Sequence, residues 1–196
     1  MNSPITPDLV YQIKTAGEPS LSPDGSLLAY TLGWVDEENL SSRSKIMGLH
    51  IKGGALNELT EGTKDFAAKF SPDGTRLTFL RSVDDGPPQI WVMAVDGSDS
   101  KRVTDFEKGV FDYVWSPVGD QLAVCADVDP SSEGGDESDK VPQVTVVSRV
   151  RFRYDTLGWR GDAHYHLFVV DIESSESRQI TDGDWDDTSP VWSPDG

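Results

Sequence analysis

Ser22-Pro-Asp-Gly25, Ser71-Pro-Asp-Gly74 and Ser193-Pro-Asp-Gly196 repeat one tetrapeptide, and Ser116-Pro-Val-Gly-Asp120 is an altered fourth copy. Proline at the second position presets φ near −65°, aspartate tolerates the bridge conformation, and glycine closes a type I turn between antiparallel strands. The copies begin 49, 45 and 77 residues apart. Recurrence at that period makes the chain an array, in which each unit must stack on its neighbours to bury its apolar face.

Outward from the turn, residues 63–105 show the unit most plainly. Ala67-Ala-Lys-Phe70 leads into the turn, followed by Arg76-Leu-Thr-Phe-Leu80, Gln89-Ile-Trp-Val-Met-Ala-Val95 and Lys101-Arg-Val-Thr-Asp105. These are four strand candidates separated by turn signals. The fourth strand recurs as Glu58-Leu-Thr-Glu-Gly62 and Gln179-Ile-Thr-Asp-Gly183, and the third as Ile46-Met-Gly-Leu-His-Ile51 and Leu167-Phe-Val-Val-Asp-Ile172. Before each turn stands a large apolar residue, Leu21, Phe70, Trp115 or Trp192, placed to fill the space between adjacent sheets. Four-stranded antiparallel units of this length predict an all-β partial β-propeller of three blades and the start of a fourth. The expected divisions are a helical segment at 1–16, blades at 17–62, 63–105 and 106–183, and a stub at 184–196. Thr6-Pro-Asp-Leu-Val-Tyr-Gln-Ile-Lys14, with a capping residue and proline at the first helical position, predicts a short N-terminal helix.

The long last interval places an insertion at 125–165 in the third blade. Asp127 to Lys140 reads as a surface loop; it is not a calcium loop, because its sixth position is Ser132 and its twelfth Ser138. Val144 to Tyr154 alternates as an added strand would, with Arg149, Arg151 and Arg153 on one face and Val150, Phe152 and Tyr154 on the other. Surface pairing of those arginines with nearby carboxylates competes with a ligand-binding role for them.

Hydrophobic residues make up 36% of the chain, enough for a core, and the formal net charge is −17. Such acidity repels phosphate backbones and anionic membranes, so neither nucleic acid nor membrane is an expected partner. Cys125, alone, lies in a buried-strand pattern and reads as an inert packed thiol. The first ten residues lack a basic region followed by an apolar stretch, which makes cytoplasmic the expected location. His164 and His166 share a strand face, but no third ligand has metal spacing, and solvated strand ends are the expectation. Asp182-Gly-Asp-Trp-Asp-Asp187 reads as the link between two blades. No Gly-x-Ser-x-Gly elbow, phosphate-binding glycine loop or Cys-x-x-Cys pair occurs, so no catalytic, metal or cofactor residue is assigned.

With the N-terminal helix, Glu18 to Tyr30, Leu59-Thr-Glu-Gly62, Arg149 to Trp159, His166 to Asp171 and Val191-Trp-Ser-Pro-Asp-Gly196 in place, the chain resembles the prolyl oligopeptidase family of serine peptidases, on its acylaminoacyl-peptidase branch. The resemblance implies a seven-bladed propeller over a C-terminal α/β-hydrolase domain carrying a Ser-Asp-His triad, none of which maps onto these residues. It implies short peptides or acyl-aminoacyl peptides as substrates, admitted by size, with no cofactor. It also implies that the hydrolase domain is the propeller's partner in the same chain, and it admits a homo-oligomer of the full protein. Dipeptidyl-cleaving members hold the substrate ammonium with paired glutamates. The adjacent pair here, Glu37-Glu38, lies in a first-blade loop outside that setting, so dipeptidyl specificity is not expected. The arginine row at 149, 151 and 153 is placed to hold a substrate carboxylate or carbonyl.

The competing reading is a non-enzymatic propeller platform similar to the Tol-system protein. A Trp-Asp-type propeller fits less well, because the third strands carry Val95-Asp96 and Asp171-Ile172 where its signature belongs. Three blades and a stub leave strand edges and aromatics such as Trp115 and Trp192 uncovered. The chain by itself is therefore expected to self-associate in size-exclusion chromatography and to hydrolyse no peptide. A sharp monomer peak with a cooperative melt, or measurable turnover, would contradict this.

Overall fold

The computed structural model describes residues 5–130, 147, 150, 153–155 and 158–196. Three four-stranded antiparallel sheets follow one another along the chain. The first comprises β1 (Lys14–Leu21), β2 (Leu27–Asp36), β3 (Ser41–His50) and β4 (Leu56–Glu58). The second comprises β5 (Asp65–Phe70), β6 (Arg76–Arg81), β7 (Gln89–Ala94) and β8 (Lys101–Arg102). The third takes β9 (Val110–Trp115) and β10 (Gln121–Val128), leaves for the ribbon of β11 (Arg153–Tyr154) and β12 (Gly158–Trp159), and resumes with β13 (His164–Asp171) and β14 (Ser177–Gln179). This is the all-β, blade-by-blade order expected of propeller units. Among the described residues no helix is long and apolar enough to cross a membrane.

The repeated turn folds as anticipated and contains more than its proline and glycine suggest. In each of the four copies the glycine N–H donates to the serine carbonyl, at 2.8 to 3.0 Å. Each glycine has φ between +71° and +94°, a region that penalises a side chain. At Gly74 an added Cβ would also come within 3.3 Å of Pro23 in the preceding turn, so neighbouring turns pack proline against glycine. The serine hydroxyl donates to the aspartate two residues on, Ser22 to Asp24 and Ser71 to Asp73, each at 2.6 Å. In the altered copy valine occupies that aspartate's position, and Ser116 donates instead to Asp120 at 2.9 Å. The carboxylate has moved two residues along the chain and the bond survives.

A second repeated device ends each sheet. The apolar residue of Leu59-Thr60, Val103-Thr104 and Ile180-Thr181 donates its N–H to the carbonyl of Ile46, Ile90 and Leu167 respectively. The threonine Oγ1 then accepts the N–H of that same third-strand residue, at 2.9 to 3.0 Å. A side chain thus continues the ladder one step past the short fourth strand, satisfying buried donors that would otherwise be costly.

Two apolar seams lie between the sheets. Leu27, Ala29, Ile46 and Leu59 of the first sheet and its outgoing link pack on Phe70, Leu77, Phe79 and Met93 of the second. Leu80, Ile90, Val92 and Val103 pack on Tyr113, Trp115, Leu122 and Val124 of the third. Trp115 Nε1 lies 2.8 Å from Thr78 Oγ1 and 3.2 Å from the Lys69 carbonyl, both on the second sheet. Trp192 repeats the bond one sheet later, donating to the Val114 carbonyl at 3.2 Å. Near the inner strands, Glu18 accepts the Ala67 N–H at 2.8 Å and Lys69 pairs with Asp112 at 3.0 Å.

Five expectations change. Leu21 is 55% exposed, whereas Phe70 and Trp115 are buried, so Trp115 is not the uncovered aromatic expected of an open array: the second sheet covers it. Each of these residues faces the preceding sheet, and the first sheet has none among the described residues. The N-terminal helix is a 3-10 helix over Pro7–Gln12, and the Thr6 side chain makes no capping bond; β1 already begins at Lys14, inside the segment expected to be helical. β10 extends to Val128 and β13 starts at His164, paired with each other, so the excursion is 129–163 and Asp127 belongs to a strand. Of the added strand expected over Val144–Tyr154, most residues lie outside the described ones; among those described, Val150 sits 97% exposed at a bend that interrupts the alternation, and Arg153–Tyr154 pairs with Gly158–Trp159.

Trp115→Ala is expected to lower the unfolding free energy by about 3–5 kcal/mol in urea titrations, and Trp115→Phe by about 1–2 kcal/mol through the lost indole bond. Asp24 and Asp73 have pKa values lowered to about 2, chiefly by the serine hydroxyls they accept from. A depressed carboxylate contributes stability in full above its unfolded value near 3.9 and loses it as pH falls through the folded value. Stability should therefore decline from about pH 4 to pH 2, and the combined Ser22→Ala and Ser71→Ala change should flatten that decline in acid titrations followed by circular dichroism.

Candidate functional site

The loops between second and third strands and the links between sheets gather at one end of the molecule, opposite the Ser-Pro turns. At the third sheet this end becomes a charged cluster. Arg160, just ahead of β13, is 6% exposed. Its Nη2 donates to Asp127 Oδ1 at 2.6 Å, and both terminal nitrogens reach Asp186, at 3.2 and 3.4 Å. The guanidinium also covers the Tyr165 ring at 4.0 Å. Desolvation is the largest influence on Arg160 and opposes its charge, but Asp127 and Asp186 outweigh it and hold its pKa above the ordinary value. Asp186 is buried enough for desolvation to push its pKa up. The Tyr165 N–H and the Arg160 guanidinium overcome that and hold it below the usual carboxylate range.

The acidic link after β14 closes over β13. Asp186 accepts the Tyr165 N–H at 2.9 Å, and the Asp187 N–H donates to the Tyr165 carbonyl at 2.7 Å. Asp184 lies 3.1 Å from His164 Nε2, and Asp187 lies 3.4 Å from His166 Nδ1. The link joins two repeats as expected, but it does so as a clasp rather than a free connector. The two histidines are corrected with it. His166 is buried and His164 mostly so, because the carboxylates of the link cover them in place of solvent. Among the described residues no group of three or more His, Cys, Asp and Glu side chains converges as a metal site. Cys125 is fully buried, and desolvation, aided by Asp112 and Asp127, pushes its thiol pKa up to about 12, which suits a packed residue and not a nucleophile.

Of the arginine row, Arg149 and Arg151 lie outside the described residues. Arg153 is exposed on β11, opposite Trp159 in backbone register. Arg160 was missed by sequence reasoning. It falls outside the alternation that drew attention to 149, 151 and 153, and the only local signal was a basic residue between Trp159 and Gly161 in an acidic stretch.

No family model matches the chain. Over its whole length it is 29% identical to an uncharacterized peptidase, YuxL, of Bacillus subtilis, of which it covers 30%. Over 78% of its length it is 26% identical to dipeptidyl-peptidase 5 of Porphyromonas endodontalis, covering 22% of that protein. The chain thus spans less than a third of either relative. Among solved structures, the acylaminoacyl peptidase of Pyrococcus horikoshii superposes with a TM-score of 0.70 at 18% identity, over 87% of this chain and 25% of that one. A putative TolB of Agrobacterium tumefaciens gives 0.58 at 24% identity, over 93% of this chain and 56% of that one. These likenesses place the three sheets in the propeller fold, and the relatives matched in sequence over most or all of the chain include a peptidase and a dipeptidyl-peptidase.

Proposed function

We propose that this chain is an arc of the propeller that covers the hydrolase domain of a serine peptidase acting on short peptides or acyl-aminoacyl peptides. The observation that carries the reading is the alignment of all three sheets and the stub with a peptidase relative from end to end. A ring of such sheets is rigid, because each seam is closed by apolar packing and by bonds such as Trp115 to Thr78. A rigid ring over a catalytic chamber excludes folded proteins and admits extended peptides. The nucleophile, base and orienting acid belong to the hydrolase domain, where backbone amides stabilise the oxyanion. The propeller's contribution is access and, through Arg149, Arg151 and Arg153, capture of a substrate carboxylate or carbonyl, for which a planar guanidinium suits better than an ammonium.

The likeness to a putative TolB supports a second reading, a propeller platform without chemistry. One experiment separates the two. The full-length protein is treated with a fluorophosphonate probe and assayed on N-acetylated and free-amine peptide p-nitroanilides, on longer peptides and on casein. Labelling of one serine, hydrolysis of the short acetylated substrates, and a rate that falls steeply with substrate size are expected. No labelling and no turnover would leave the platform reading; cleavage of casein as fast as of short peptides would remove the size filter; preference for free-amine dipeptides would replace acyl-aminoacyl with dipeptidyl specificity. Changing the three arginines to Ala should raise KM severalfold for substrates with a free carboxylate, and an unchanged KM ends their assignment.

A further inference from the structure

Where the second and third sheets meet, at the end that carries the excursion, there is a pocket of about 290 Å3. Its aromatic wall is Phe111 of β9 against Tyr165 of β13, ring centroids 4.5 Å apart and planes 27° from parallel. Tyr165 is fixed from another side by the Arg160 guanidinium, which Asp127 and Asp186 hold in turn. Pro88 and Gly109 are equally fixed. The Val110 N–H donates to the Pro88 carbonyl at 2.8 Å, and Gly109 has φ +80° with the two prolines so close that a Cβ would meet them at 2.8 to 2.9 Å. Lys108 stands among the lining residues and pairs with Asp129 at 3.2 Å. Phe111 is left 53% exposed between the buried Val110 and the half-buried Asp112, so core packing alone does not account for an aromatic at this position.

The geometry points to a subsite for a single apolar or aromatic side chain of a peptide. The inference rests on the peptidase reading and adds a determinant of substrate choice to it. The volume lies at the small end of ligand pockets, roughly 300–1,000 Å3, and suits one side chain rather than a larger ligand. The charges beside it are mixed. An anionic ligand would meet Asp127 and Asp129 and a cationic one would meet Lys108 and Arg160, whereas the N–H and C=O groups of a neutral main chain find acceptors and donors together. The walls are held before anything binds, so little ordering opposes association.

The test uses the full-length protein and acetylated dipeptide p-nitroanilides with Phe or Ala placed in turn at each residue before the scissile amide. Alongside, saturation-transfer NMR with N-acetyl-phenylalaninamide reads binding without catalysis. Phe111→Ala should lower the Phe-over-Ala ratio of kcat/KM about tenfold at one position, mainly through KM, and remove the saturation transfer. Lys108→Gln should weaken binding of both peptides together. Val118→Ala, in a turn at the far end, serves as the control and should change neither reading. If the protein cleaves peptides yet Phe111→Ala leaves the ratio and the NMR signal intact, the subsite is wrong and the peptidase reading stands. If no peptide is cleaved but the ligand binds and Phe111→Ala abolishes binding, the subsite stands and the peptidase reading falls.

Discussion

A propeller stands or falls on how one sheet meets the next, and in this chain the decisive contact is the indole of Trp115 lying across the seam. Its ring fills the space between the second and third sheets, while Nε1 reaches the Thr78 hydroxyl and the Lys69 carbonyl. An aromatic of this size supplies much of the apolar area of the seam, but its N–H must find a partner once buried. The partner is provided by the backbone and side chains of the neighbouring sheet, which fixes the register of one sheet against the next. Trp192 makes the equivalent bond to Val114. Between the first two sheets, where Phe70 takes the same place, the polar bond is made instead by Glu18 to the Ala67 N–H.

The repeats therefore share solutions to one problem, the satisfaction of buried or strained backbone at the ends of short strands. The Ser-Pro turn solves it with a serine hydroxyl bonded to a nearby carboxylate and a glycine in the left-handed region. The Leu-Thr, Val-Thr and Ile-Thr pairs solve it with a threonine oxygen that stands in for a missing carbonyl. Both depend on small hydroxyl residues that form local bonds readily. That is why these dipeptides recur while the surfaces around them vary.

At the end of the second sheet opposite the Ser-Pro turns, Arg81 makes two bonds to the fully buried Asp65 and lies over the Trp91 ring, and the third sheet elaborates such an ion pair. Its excursion rejoins the sheet at Arg160, a buried cation that gathers Asp127, Asp186 and the Tyr165 ring around it. Removing one partner of such a group leaves a buried charge uncompensated, so the arrangement holds as a unit. It fixes the end of β10, the start of β13 and the acidic link in one geometry, and it sets the aromatic wall beside which Phe111 stands. At this end of the molecule the residues that hold the fold also border the proposed subsite.

The period of the Ser-Pro turns, the four strands of each unit and their order were legible in the sequence, because turn chemistry and strand alternation act over a few residues and leave local traces. The serine-to-carboxylate bond went unread, because the turn's aspartate was legible only as a residue that tolerates the bridge conformation and because it shifts from the third to the fifth position in one copy while the bond persists. The burial of Trp115 against the exposure of Leu21 was decided only in three dimensions: both occupy the same place in their repeats, and what differs is whether a sheet stands in front of them. The clasp of Asp184, Asp186 and Asp187 on Arg160, His164 and His166 was likewise invisible beforehand. Its partners lie 20 to 26 residues apart in the chain, and an ion pair between residues so separated leaves no periodic mark, because it depends on which strand ends the fold brings together.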